Sequence, residues 1–354
     1  MDGIDAVLLS FDECDLSIAA NLKRDYPKEL RAKLFTASRE PDTCSLDALG
    51  ELHTRVGECF RDAALDVLAK GGMDASAIRA IGSHGQTIRH RPDATHPFTL
   101  QIGDASIIAT GAGIDTVADF RAADIALGGQ GAPLAPAFHK WLWQNDSSDR
   151  VVLNIGGIAN ITVLPSNDQP VTGFDTGPGN TLLDAWIEKQ QGAAFDDEGQ
   201  WAAAGAVNDE LLQGLLNDEW FGKAPPKSTG FEYFNLEWLA NQGVAAIDAR
   251  DVQATLAELT AASIADSILQ AAPDTQEVFV CGGGAHNPFL LQRIGARLPN
   301  ATVASTSSAG LDPDWVEAAA FAWLAMRRIN GSVGNLPGVT GATRPAVLGA
   351  LHHA

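Results

Sequence analysis

EVFVCGGGAHNPFLLQRIGARL, Glu277 to Leu298, is the stretch that decides the fold class. Its apolar start reads as a buried strand. Three glycines, Gly282, Gly283 and Gly284, turn the chain, and Asn287 and Pro288 stand where a helix takes its N-cap and first residue. A strand, a glycine turn and a capped helix in that order present backbone N–H groups to an anion. Just upstream, Asp251 to Gln270 carries Val252, Leu256, Leu259, Ile264 and Ile268 on roughly one helical face. Further back, VVLNIGGIANITVL from Val151 reads as strand, turn and strand through Gly156 and Gly157. GFDTGPGNTLLDAWI, from Gly173, reads as a strand that delivers Asp175 to a Gly-Pro-Gly turn, with a helix beginning near Asn180.

The N-terminal part repeats the alternation. Ile4 to Phe11 reads as a strand ending at a turn near Asp12 and Glu13. A helix follows Ser45, with Leu49, Val56, Phe60, Ala63 and Val67 at spacings near three and four, and stops at Gly71-Gly72. A strand is expected at Ile78 to Ser83, and Trp315 to Arg328 reads as an apolar helix ending in two arginines. Strands alternating with helices place the chain in the α/β class. Its 354 residues exceed one ordinary core, so two compact units are expected, the second starting near Ile125.

Composition narrows the function. The formal net charge of -20 argues against nucleic acid and against an anionic membrane surface, both of which need Lys and Arg. A nucleotide bound by such a chain has its phosphates held by backbone N–H groups, helix N-termini and a divalent cation. Cys14, Cys44, Cys59 and Cys281 are far apart and form no CxxC pair, which fits a reducing compartment. The start, MDGIDAVLLS, has no basic n-region or sustained apolar run, so a cytoplasmic location is expected.

Several residues are candidates for chemistry. Asp175, exposed by a turn nearly free of side chains, could act as a general base, or could only close its own turn. Gly282, Gly283 and Gly284 could let a base or phosphate approach the backbone; Gly156 and Gly157 read equally as a plain hairpin turn. The GGQGAPL run, Gly128 to Leu134, has too many glycines for a simple turn and points to a demanding loop. His84, in GSHGQT, could touch a substrate, although a local backbone partner is the plainer role. Arg121 could fork onto a carboxylate or pair with Asp119 or Asp124. Glu317 begins an apolar helix, where its carboxylate requires an exposed first turn or a polar site. The tryptophans Trp141, Trp143, Trp186, Trp315 and Trp323 default to core packing.

Taken together, MDGID, IGSHGQTIRH, LQIGD, DFRAADIALGGQGAPL, LNIGGIANIT, FDTGPGNTLLDAW, PKSTGFEYFN, DVQATLAELTA, VCGGGAHNPFL and NLPGVTGAT span nearly the whole chain. In this order they resemble the anhydro-N-acetylmuramic acid kinase family, within the actin, sugar-kinase and heat-shock ATPase superfamily. The resemblance implies two actin-like (ribonuclease H-like) domains around a central cleft, residues 1–125 with 325–354 and residues 126–324. It implies ATP as co-substrate, Mg²⁺, and 1,6-anhydro-N-acetylmuramic acid as the sugar, opened hydrolytically and phosphorylated in peptidoglycan recycling, with metal ligands unassigned and a homodimer left open. By the same resemblance Asp175 is the catalytic base, Arg121, Glu317 and His84 are on the sugar side, and Asp2, Gly3, Asp5, Gly156, Gly157 and Gly282 to Gly284 are on the ATP side. It further implies a strand and a Gly-Thr-Ser segment ahead of Asp2, so the first strand is expected to be missing here. Two other functions compete: a sugar-binding protein without catalysis, favoured by that missing loop, and an actin-like structural ATPase, disfavoured by DFRAAD and DTGPGN.

Overall fold

The computed structural model describes residues 3–12, 15–40 and 43–354. Two compact units emerge: Met1–Leu142 with Glu317–Ala354, and Trp143–Val316. The sequence reading drew these boundaries at 125/126 and 324/325.

The first unit opens with strands β1 (Ile4–Asp12) and β2 (Asp15–Arg24), an antiparallel pair, followed by helices α1 (Lys28–Arg39) and α2 (Leu46–Gly71). Strands β3 (Ile81–Gly82), β4 (Gln86–Arg91) and β5 (Phe98–Ile102) precede α3 (Ala105–Ala112), β6 (Thr116–Ala118), α4 (Ala122–Ala126) and α5 (Ala135–Trp143). In α2 the Ser45 hydroxyl accepts from Ala48 N–H at 3.1 Å, and Gly72, at φ 62°, closes the other end. Leu52, Val56, Ala63 and Val67 form its buried face. The strand expected over 78–83 contracts to β3, because among the described residues its ladder partner is the three-residue β6.

The second unit is built on β7 (Arg150–Ile155), β8 (Ile158–Leu164) and β9 (Thr172–Pro178), then α6 (Thr181–Gln191), α7 (Gln200–Ala203), α8 (Asp209–Leu216), α9 (Leu236–Ala240) and α10 (Ala249–Ala271). It finishes with β10 (Glu277–Cys281), α11 (Pro288–Arg297) and β11 (Thr302–Ser305). The chain then enters α12 (Val316–Ile329), α13 (Pro337–Thr340) and β12 (Ala350–His352), which pairs with β6. The five strands run in the order β11-β10-β7-β8-β9, parallel across the first three. Val151, Val152, Leu153 and Ile155 of β7 are all buried, the continuous apolar run of a strand covered on both faces.

Helix α10 was expected to show one apolar face; it is buried nearly all round. Ala261, Ile264, Ala265 and Ile268 join the core over the sheet. Val252, Leu256, Ala257 and Leu259 join a second core with Leu182, Trp186, Leu211 and Phe234. Polar residues on such a helix must be satisfied. Glu258, buried, is gripped by Arg293 and Arg297 of α11, which bolts that helix to the core.

In the first unit, a cavity of about 560 Å³ lies between β1, which lines it from Gly3 to Phe11, and the segment from Ala77 to Gln86. Residues of α2 and α12, among them Ala63, Val67, Phe321 and Ala322, form its other walls.

Candidate functional site

In the second unit three loops converge at the ends of the central strands. Strands β7 and β10 are parallel, with Asn154 opposite Cys281, so their C-terminal ends open on the same side. That is where ligands lie in parallel α/β sheets. Gly282 sits at φ 78°, and a Cβ there would come within 2.5 Å of Asn154 Oδ1 and 2.9 Å of Ile155 O. A side chain at Gly282 is therefore excluded twice, by conformation and by space. Gly283 differs: its φ is ordinary and an added Cβ would meet only Asn180 Nδ2 at 3.7 Å. Its exposed face is open, so it leaves room for a ligand.

The turn at Gly156 and Gly157 is more than a hairpin closure. Gly156 O accepts from Asn180 N–H at 2.8 Å, and Gly157 O accepts from Gly179 and Thr181 N–H at 2.9 and 3.0 Å. These bonds seat the Gly-Pro-Gly turn on the first glycine pair. Beyond Gly282 to Gly284, the Asn287 side chain accepts from Leu290 N–H at 2.9 Å and Pro288 opens α11, as the spacing predicts.

Asp175 lies on β9 opposite Asn160, next to a register shift that pairs Ala159 with Gly177. A bulge of this kind re-aims the side chain beside it. The carboxylate accepts from Thr229 N–H at 3.0 Å, and Asp175 N–H donates to Lys227 O at 3.1 Å. Burial pushes its carboxyl up to about 6, against the lowering effect of the Thr229 bond. A carboxyl there is ionised near neutral pH yet basic enough to take a proton. The segment PKSTG, recognised in sequence only as part of a resemblance, is thus the strap that holds Asp175. Nothing local in FDTGPG signals a partner more than 50 residues away.

The remaining candidates belong to the first unit. His84 Nε2 accepts from Arg121 Nε at 3.1 Å and from Arg121 Nη2 at 2.9 Å. Burial first, and then the guanidinium, hold the imidazole down at about 3, so it is neutral. Arg121 pairs with neither Asp119 nor Asp124; its Nη1 donates to Gly131 O at 2.8 Å. Asp124, fully buried, instead accepts from Gly131 N–H, Asn335 Nδ2 and Thr340 Oγ1 at 2.8, 2.6 and 2.7 Å. Sequence reasoning missed this role because Asn335 and Thr340 lie 211 and 216 positions away. The run Gly128 to Leu134 is the demanding loop expected, with Gly128 at φ 79° and Gly131 at 65°.

Glu317, in the first turn of α12, lines the cavity, surrounded by protein there yet open to solvent. Burial raises its carboxyl above the usual range, Arg121 opposes that rise, and Asp5 adds to it. Gly3 and Asp5 stand at the start of β1; Asp2 lies outside the described residues. Among the described residues no group of three His, Cys, Asp or Glu forms a metal cage. No helix among them is long and apolar enough to cross a membrane.

Comparison with known proteins adds the following. The profile of the anhydro-N-acetylmuramic acid kinase family matches residues 1–354. A relative of that name from Xanthomonas axonopodis pv. citri is 52% identical over 359 residues, covering 100% of this chain and 95% of the relative. Another from Shewanella halifaxensis is 50% identical over 356 residues, covering 100% and 96%. Among solved structures, the activator of the 2-hydroxyisocaproyl-CoA dehydratase from Clostridium difficile with bound ADPNP is 11% identical. It covers 89% of this chain and 90% of its own, at a TM-score of 0.41, too distant to carry an argument.

Proposed function

The chain belongs to the anhydro-N-acetylmuramic acid kinase family, and from that premise we propose that Asp175 is the base of its reaction. The protein is an ATP-dependent phosphotransferase acting on an alcohol group of an amino sugar in peptidoglycan recycling. The non-catalytic reading is not favoured, since relatives about half identical over the full chain carry the kinase name.

The observation that carries the assignment is the Asp175 carboxyl: half-buried, beside a strand bulge, held by one N–H, with its pKa near the working range of a base. The Asp175 carboxylate takes a proton from water as that water's oxygen bonds to the anomeric carbon of 1,6-anhydro-N-acetylmuramic acid. The C1–O6 bond breaks. O6 then bonds to the γ-phosphorus of ATP, the bond to the β-bridging oxygen breaks, and ADP leaves. The products are N-acetylmuramic acid 6-phosphate, ADP and a proton.

Gly156, Gly157 and Gly282 to Gly284 form the ATP side in unit 2, where Gly283 allows close approach; Gly3 and Asp5 are assigned to the same ligand. Arg121, His84 and Glu317 take the sugar. Mg²⁺ fits a site with few carboxylates, because it keeps several waters and binds through phosphates and one or two acids. Asp5, exposed on β1, would hold it, and there it would offset charge on the phosphates.

Asp175→Asn tests the assignment. Turnover should fall by a factor of about 10² to 10⁴ while ATP titration stays near wild type. Undiminished formation of the 6-phosphate would remove Asp175 from the mechanism.

A further inference from the structure

Arg121 is a half-buried cation in the first unit, and its hydrogen bonds can be counted. A guanidinium has five N–H groups and accepts nothing. One on Nε and one on Nη2 go to His84 Nε2, and one on Nη1 goes to Gly131 O. One N–H on Nη1 and one on Nη2 make no hydrogen bond among the described residues, and no carboxylate lies within 4 Å of the group. Burial lowers the Arg121 pKa, and the charge of Glu317 offsets part of that effect. A half-buried guanidinium held in place with unused donors on both terminal nitrogens is set to meet a planar anion.

Its neighbours hold it still. Because Arg121 can only donate, His84 Nε2 must accept, which puts the imidazole proton on Nδ1 beside the Gly85 backbone. The imidazole packs at a tilt of 36° against Phe321, with ring centres 4.4 Å apart. On the other side Gly131 O is fixed through Gly131 N–H, which donates to Asp124. Asp124 is itself clamped by Asn335 and Thr340, so the path from α13 to the guanidinium is a continuous set of short bonds.

We propose that the free Nη1 and Nη2 donors of Arg121 receive the carboxylate of the acid sugar, and that Asp124 is the positioning residue that sets their direction. The proposal rests on the kinase reading above and adds which group of the substrate is recognised. A planar pair of donors matches a carboxylate bidentately, where a lysine would offer one point charge. N-acetylmuramic acid differs from N-acetylglucosamine by a lactyl ether that carries this carboxylate. Arg121 therefore selects the acid over the neutral amino sugar.

The test compares 1,6-anhydro-N-acetylmuramic acid with 1,6-anhydro-N-acetylglucosamine on the full chain. Arg121→Met should raise KM for the acid about 10- to 100-fold, the loss expected of charge-assisted hydrogen bonds. KM for the neutral sugar and for ATP should stay within about twofold. Asp124→Asn should move the acid's KM in the same direction by a smaller factor, with kcat unchanged. Thr340→Val, which removes one bond to Asp124 and leaves its charge, gives a milder version should Asp124→Asn fold poorly. Equal losses for both sugars would overturn the carboxylate assignment, and a shift confined to ATP would transfer Arg121 to the phosphates and overturn it too. Unchanged acid KM in both Asp124→Asn and Thr340→Val would overturn the positioning role. If Asp175→Asn keeps its turnover, the ratio between the two sugars still reads out Arg121, so the two proposals fail separately.

Discussion

The sheets of the two units are built to different standards. In the second unit five strands form one ladder, and α10 lies across it, buried without a break from Val252 to Ala265. In the first, β1 and β2 form one pair and β12, β6 and β3 form another sheet, with the 560 Å³ cavity between β1 and the β3 segment. Among the described residues β1 pairs only with β2, so its other edge faces that cavity. Unpaired backbone groups and thinly packed apolar walls both cost stability. The contrast teaches that the glycine loops of the second unit rest on a five-stranded ladder, while β1, with Gly3 and Asp5 at its start, rests on a two-stranded pair among the described residues.

The largest effect lies in the second unit and depends on pH. The folded pKa of Asp175, about 6, lies above its ordinary 3.8, so folding favours the protonated form. Stability from this group is therefore greatest below about pH 4 and falls as pH rises through 6, by about 3 kcal/mol. Asp175→Asn should be more stable than wild type at pH 8 by up to that amount, and nearly equal to it at pH 4. Urea unfolding at the two values checks this, and an equal difference at both would sink it.

Two glycines sharpen the comparison within the ATP side. Gly282→Ala should lose about 1–3 kcal/mol in urea unfolding, from the strain of a side chain at positive φ pressed against Asn154. Gly283→Ala should unfold like wild type, which leaves any weakening of ATP binding attributable to blocked approach. Equal destabilisation by both would mean that the turn, and not the ligand, dictates the glycines.

The smallest test makes one change in both units. Ala322→Val, on the cavity wall, should stabilise by about 0.5–1 kcal/mol. Ala261→Val, fully buried against the five-stranded sheet, should destabilise by about 1–3 kcal/mol through overpacking. The same sign from both substitutions, read by calorimetry, would erase the difference in packing.

What was legible in the sequence was local. Ser45, Gly72, Asn287 and Pro288 act within one helical turn, and α2 and α11 begin or end where they say. The 3.6-residue pattern of α10 was visible, but its second buried face was not, since that depends on α6 to α9 packing from outside. Strand β2 and helix α1 went unread: DLSIAANLKR buries only Ala20 fully, and α1 begins after Pro27 without a side-chain cap. Among site residues Asp175 and the glycines stood out through their turn chemistry. Thr229 and Asp124 did not, because each works through contacts that only the folded chain creates.

The grip of Glu258 on Arg293 and Arg297 has a consequence for how the nucleotide arrives. Two of the 24 basic residues are spent inward on α11, the helix that follows the three glycines. Backbone N–H groups attract phosphate only at short range, whereas the surplus of 20 negative charges repels it from a distance. Added salt screens the distant repulsion more than the close contact, since the Debye length shrinks from about 30 Å at 0.01 M to about 8 Å at 0.15 M. Association of ATP should therefore quicken as ionic strength rises, the reverse of a site that recruits its anion with exposed lysines.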